Sequence, residues 1–214
     1  MHRRTALAVS AALLTAAPLL TACGSDAHPG AAAVVGGRRI EVASLQAQVE
    51  DVRHAQAASP QSAQLVAATG DLSRRKLNVM IFDRVVDEVA RDNGVTATRA
   101  ELQEARTSFV RQAGGEDRLA AVLLQEQGVA PDQIDAFVRR NVLMNKIAQK
   151  LGVTEGPEGQ KKLTDVFSAA SEELGIDVNP RYGHWDDAQV RLSDTTVPWL
   201  RQISQDPAAA ASGA

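Results

Sequence analysis

Metal binding and covalent chemistry in this chain of 214 residues would rest first on four histidines and one cysteine. His2 sits at the chain start and His28 beside a Pro-Gly pair. His54 has Glu50 and Asp51 nearby but no companion at metal-ligand spacing, so it reads as part of a solvated helix face. His184 precedes Asp186-Asp187, nominally a carboxylate–imidazole set. Neighbouring residues of an extended segment point to different sides, and the set is discounted for that reason. A single cysteine excludes a disulfide framework, a Cys-based zinc site and a CxxC redox pair. There is no GxSxG elbow, no glycine loop to cradle phosphate and no HExxH. The residues predict no enzyme: no catalytic, cofactor-binding or metal-ligating group, and no cofactor.

Cys23 itself has a defined context. Met1-His2-Arg3-Arg4 is a cationic start, and residues 5–20 form an uncharged stretch rich in Ala and Leu. That stretch is too short to span a bilayer comfortably and suits the apolar core of a signal peptide. Leu20-Thr21-Ala22-Cys23, followed by Gly24-Ser25, resembles a bacterial lipobox. The resemblance implies a signal peptide over 1–22, acylation of the Cys23 thiol and cleavage before it. Acyl chains such as palmitate would hold the protein on the extracytoplasmic face of the cell membrane without a transmembrane helix. Residues 23–32, small and polar, are expected to be a flexible tether.

The remaining composition points to helices. Hydrophobic residues make up 44% and aromatics only 3%, with Ala abundant. A net charge of −3 gives no basic field for nucleic acid. Val34-Val35 and Ile40 flank Gly36-Gly37, a β-type segment with a tight turn. Helical periodicity then predicts helices over 43–57 (Leu45, Val49 and Val52 inward), 71–93, 98–113, 116–127, 131–151 and 160–174. Residues 58–69 read as a loop with room for one short helical turn, and 152–159 as a connector.

The 71–93 helix has two apolar stripes and should be central, with Asp71 as its cap and Asn93-Gly94 as its left-handed end. Thr98 and Glu101 form a capping box. Leu119, Val122 and Leu123 face inward on the helix after it. Asn141 interrupts the stripe of the 131–151 helix and reads as a satisfied amide. Residues 176–185 change to an extended pattern, expected to pair with Val34-Val35. The fold class predicted is mainly α: one helical domain over 33–186, with a short β-ribbon formed by its N- and C-terminal segments. Residues 187–214 are expected to be a C-terminal extension, largely disordered at its end.

Several motifs, in order, resemble one family. Ala33-Val34-Val35-Gly36-Gly37 through Ile40, followed by a helix with Leu45, is similar to the opening of SurA- and PrsA-type extracytoplasmic foldases, with Gly36 where that family usually has Asn. Asn93-Gly94-Val95-Thr96 through Glu101-Leu102 and Gly128-Val129-Ala130-Pro131 through Leu143 resemble later family helices. Asn179-Pro180-Arg181-Tyr182-Gly183 is similar to the end of actinobacterial SurA-like lipoproteins. In this family a parvulin-type prolyl isomerase domain commonly follows the helical part. The 152–159 connector leaves no room for one, so isomerase activity is not expected here.

The resemblance implies a lipid-anchored, chaperone-like protein that binds unfolded or partly folded exported polypeptides. Phe82, Phe109, Phe137, Tyr182 and Trp185 are candidate contributors to an apolar groove, although each also fits an ordinary core. The alternative is a structural or adaptor lipoprotein that docks one specific envelope partner. The substrate-binding residues and the oligomeric state stay open at this level.

Overall fold

The computed structural model describes residues 29–67 and 69–193. Strands β1 (Ala31–Val35) and β2 (Arg38–Glu41) form an antiparallel hairpin. Gly36 and Gly37 make the turn with φ of 55° and 70°. A two-residue turn that matches strand twist needs both of its central residues at positive φ, which glycine adopts without a Cβ clash. β1 begins at Ala31, and Ala31, Ala32 and Ala33 are buried. The tether expected through residue 32 therefore gives way to strand two residues early. Methyl side chains that read as linker instead allow a strand to be covered on both faces.

Seven helices follow among the described residues: α1 (Val42–Ala58), α2 (Ser62–Ala67), α3 (Leu72–Asp92), α4 (Arg99–Ala113), α5 (Glu116–Gln127), α6 (Ile134–Lys150) and α7 (Pro157–Leu174). α1 buries Leu45, Val49 and Val52, as its spacing predicts. α2 is the short helical turn within the 58–69 loop, and Leu65 finds a place in the core. α3 is central as expected and packs against α1, α6, α7 and β1. Leu77, Ile81, Val85, Val86 and Val89 are all buried along it.

Asp71 does not cap α3 through its side chain; it pairs with Arg75 one turn on, at 3.2 Å. The other end closes at Gly94, φ 62°, where the Val95 N–H donates to the Ala90 carbonyl at 2.7 Å. The capping box of α4 forms: the Glu101 N–H donates to Thr98 Oγ1 and the Thr98 N–H to Glu101 Oε2. Lys146 of α6 donates to the same carboxylate, and these bonds hold Glu101 down at about 2.

Two apolar clusters result. The larger joins the sheet, α1, α3, α7 and the second half of α6. The smaller joins α4, α5 and the start of α6 through Leu119, Leu123, Ile134, Phe137 and Val138. Val122, expected to face inward, is 37% exposed, whereas Leu124 is buried in the larger cluster. α5 is packed on two sides, and the exposed strip between them passes through Val122. Before α6, Pro131–Gln133 is a single 3₁₀ turn rather than the first α-helical turn.

α7 starts three residues before the expected boundary, with Pro157 in its first turn, where a missing N–H costs nothing. Gly159 lies there because a Cβ would sit 1.8 Å from the Thr154 carbonyl oxygen. Gly159→Ala is expected to lower the unfolding free energy by about 1–3 kcal/mol, measured by urea titration.

Beyond α7, β3 (Asp177–Val178) pairs with β1, Ala33 opposite Val178, giving the order β2-β1-β3. The N- and C-terminal segments thus meet in one small sheet, as the pattern predicts. A 3₁₀ turn at Pro180–Tyr182 leads into a second hairpin, β4 (His184–Asp186) and β5 (Arg191–Ser193). The ordered body therefore runs past residue 186, into the expected extension. Trp185 Nε1 donates to Ser171 Oγ at 2.6 Å, and Ser171 donates to Asp187 Oδ1 at 2.5 Å. Asn78 accepts from the Leu192 N–H, and Arg74 donates to the Tyr182 carbonyl. These bonds fasten the second hairpin to α7 and α3.

Candidate functional site

The residues singled out from sequence are dispersed. Cys23, the expected signal peptide over 1–22, His2, His28 and the chain beyond Ser193 lie outside the described residues. His54 is exposed on α1 and His184 on β4. Asp186 accepts from Gln189 while Asp187 accepts from Ser171, so neither carboxylate serves the imidazole. Asn141 donates to the Phe137 carbonyl of its own helix at 2.8 Å, a locally satisfied amide. The five aromatics turn inward. Phe82 lies tilted against Phe167 and Phe109 against Phe137, with centroids 5.9 and 5.6 Å apart, while Tyr182 and Trp185 are buried.

A different group of residues converges. α1, α3, α5 and α6 surround a cleft of about 90 Å³. Its apolar lining comes from Leu72, Val79 and Met80 of α3, Val129 of the α5–α6 link, and Phe137 of α6. Its polar lining includes Gln48, Lys76, Asp83, Gln133 and Arg140. Lys76 falls on the Leu72–Val79–Asp83 face of α3, because those positions recur every three or four residues. Gln133 is placed by the 3₁₀ turn that precedes α6.

Gln133 is the hub. Its Oε1 accepts from Lys76 Nζ at 2.5 Å and from the Ala130 N–H at 3.3 Å. Its Nε2 donates to the Gln48 carbonyl at 2.9 Å and reaches Asp51 Oδ2 at 3.5 Å. One amide thereby ties α1, α3 and the turn before α6 together. Lys76 is only 6% exposed. Burial, with the Arg140 guanidinium nearby, pulls its ammonium down to about 8. Burial also pushes the Asp83 carboxyl up, against the pull of Arg140, which donates to it at 2.9 Å. Arg140 lies over the Phe137 ring at 5.6 Å from its centroid.

Sequence reading passed over Lys76, Gln133 and Arg140. The available signal was a lysine inside the apolar face of the helix that buries the most residues. The cleft is well below the roughly 300–1,000 Å³ of small-molecule and cofactor sites, so its natural guest is a single side chain with its adjoining polar atoms.

A family model described as a SurA-like N-terminal domain matches residues 2–148. The chain belongs to the SurA-like N-terminal domain family. That family is one of chaperone-like foldases. Comparison with curated proteins and with solved structures returns no match. In this SurA-like chain the matched stretch ends inside α6. The structure continues beyond it, with α7 packed on α3 and β3 completing the sheet. The cleft lies within the matched stretch, since all of its lining comes from residues 48–140.

Proposed function

We propose that this SurA-like protein is a lipid-anchored, extracytoplasmic, chaperone-like binder of unfolded or partly folded exported polypeptides, with no isomerase activity of its own. The observation that carries this reading is the cleft between α1, α3, α5 and α6, in a chain of a chaperone-like foldase family. An apolar pocket with amide and cationic groups at hand suits one apolar side chain and the backbone oxygens beside it. Binding of that kind needs no bond making or breaking.

Attachment rests on Cys23. No described helix is long and apolar enough to cross a membrane. Acylation of Cys23 would supply the anchor. Cys23→Ala is expected to abolish palmitate labelling and to release the protein from the membrane fraction. Continued labelling of that variant, or its retention on membranes, contradicts the anchor.

Client binding is tested with an exported protein denatured by reduction. The purified chain should suppress its aggregation at near-stoichiometric ratios, and no suppression would overturn the reading. A second reading, an adaptor for one folded envelope partner, is favoured by one observation. Among the described residues only Val66 and Val122 are large apolar side chains well exposed to solvent, little surface for promiscuous capture. Cross-linking in cells separates the two: many unfolded exported proteins support the chaperone, one stoichiometric partner the adaptor.

A further inference from the structure

Among the described residues no carboxylate pairs directly with Lys76. Its hydrogen-bond acceptor is Gln133 Oε1, a neutral amide oxygen. Asp51 and Asp132 are near enough to favour the charged ammonium without touching it. Asp83, on the same helix, is two turns away, about 10 Å along the axis, and is held by Arg140. A buried ammonium commonly has an anionic partner, because desolvation otherwise costs several kcal/mol. Lys76 lines a cleft whose apolar walls are Leu72, Val79, Met80 and Phe137, and Asp83 and Arg140, already paired with each other, line it too.

We propose that the cleft is a receptor for the carboxy-terminal end of a polypeptide, with Lys76 binding the terminal carboxylate and the apolar walls taking the last side chain. The proposal deepens the client-binding reading and rests on it in so far as the guest is a polypeptide. Charge complementarity selects an anion, and the wall chemistry selects which one. A chain terminus carries its carboxylate and an apolar side chain on the same carbon, so both reach a small cleft together. An aspartate or glutamate side chain presents a carboxylate with nothing apolar beyond it. The cleft has room for one branched aliphatic side chain and one carboxylate, and it is too small for a folded domain. Gln133 positions the ammonium, since its amide is fixed from the other side by the Gln48 carbonyl.

The test uses two fluorescent peptides of one sequence ending in leucine, one with a free terminal carboxylate and one amidated. Wild-type protein should bind the free acid about tenfold more tightly, the size expected of one charge-assisted hydrogen bond. Lys76→Met should bring the two affinities within about twofold while its thermal melt shows an intact fold. Equal affinity of the two peptides for wild type overturns the proposal, as does a preference that survives in Lys76→Met. N-acetyl-leucine competing as strongly as the whole peptide also overturns it, because the site would then take a small acid. Aggregation suppression is measured in parallel. Suppression without acid preference removes the terminus site and leaves the chaperone reading. Acid preference without suppression removes the chaperone reading and leaves the site.

Discussion

Lys76→Met should make the protein more stable, by about 2 kcal/mol, and at the same time a poorer binder. The stabilisation follows from the environment of the ammonium. In water its proton leaves near the ordinary lysine value, whereas in the fold it leaves at about 8. Each unit of such a difference corresponds to about 1.4 kcal/mol, here reduced by the solvent that still reaches the cleft. Between pH 8 and the ordinary lysine range the unfolded chain holds more protons than the folded one. Stability therefore rises with pH through that window, and below it the full cost of the buried charge is present. The methionine variant should be flat across the same window. Urea titrations of both proteins at pH 7 and pH 10 measure the difference. A variant less stable than wild type at pH 7 would mean that the Gln133 contact outweighs burial. A group kept at a cost to stability is the pattern expected of a binding residue.

The second large effect lies at the second hairpin, which docks on α3 through Arg74 and Asn78. Trp185→Ala should cost about 3–5 kcal/mol, the range for removing a buried aromatic. The indole fills the larger cluster and donates to Ser171, which passes its own proton donor to Asp187. Losing the ring would free β4–β5 from α7, and limited proteolysis should then cut between residues 183 and 193. Ser171→Ala is the milder probe: the hydroxyl is fully buried, so its loss leaves an indole N–H without an acceptor, worth about 1–3 kcal/mol. A Trp185→Ala protein with an unchanged urea midpoint would show that this hairpin adds nothing to the fold.

These two sites differ in how far the sequence announced them. The long apolar stripes of α3, the glycine pair of the first hairpin and the Thr98–Glu101 cap were readable because periodicity or turn chemistry specifies each locally. The pairing of β1 with β3 was readable because few other segments alternate. The second hairpin was not. Its turn places Val190 at φ 50°, a position that glycine or asparagine would normally mark and that a β-branched residue hides. Asp71 misled as a cap because a side chain one turn later, Arg75, competes for its carboxylate. Lys76 was passed over because a lysine in an amphipathic pattern is ordinarily solvated, and only the approach of α6 and the 3₁₀ turn buries it. Gln133 carried no signal at all, since its role depends on contacts with residues more than fifty positions away.

The central claim, that the cleft receives polypeptide, is most directly tested by photo-cross-linking in living cells from Gln127, an exposed residue that lines it. A control probe replaces Lys161, exposed on α7. The expected result is a set of many exported proteins captured from position 127, reduced by Lys76→Met and absent from position 161. A single folded partner captured in stoichiometric amount, or identical capture from both positions, would contradict it.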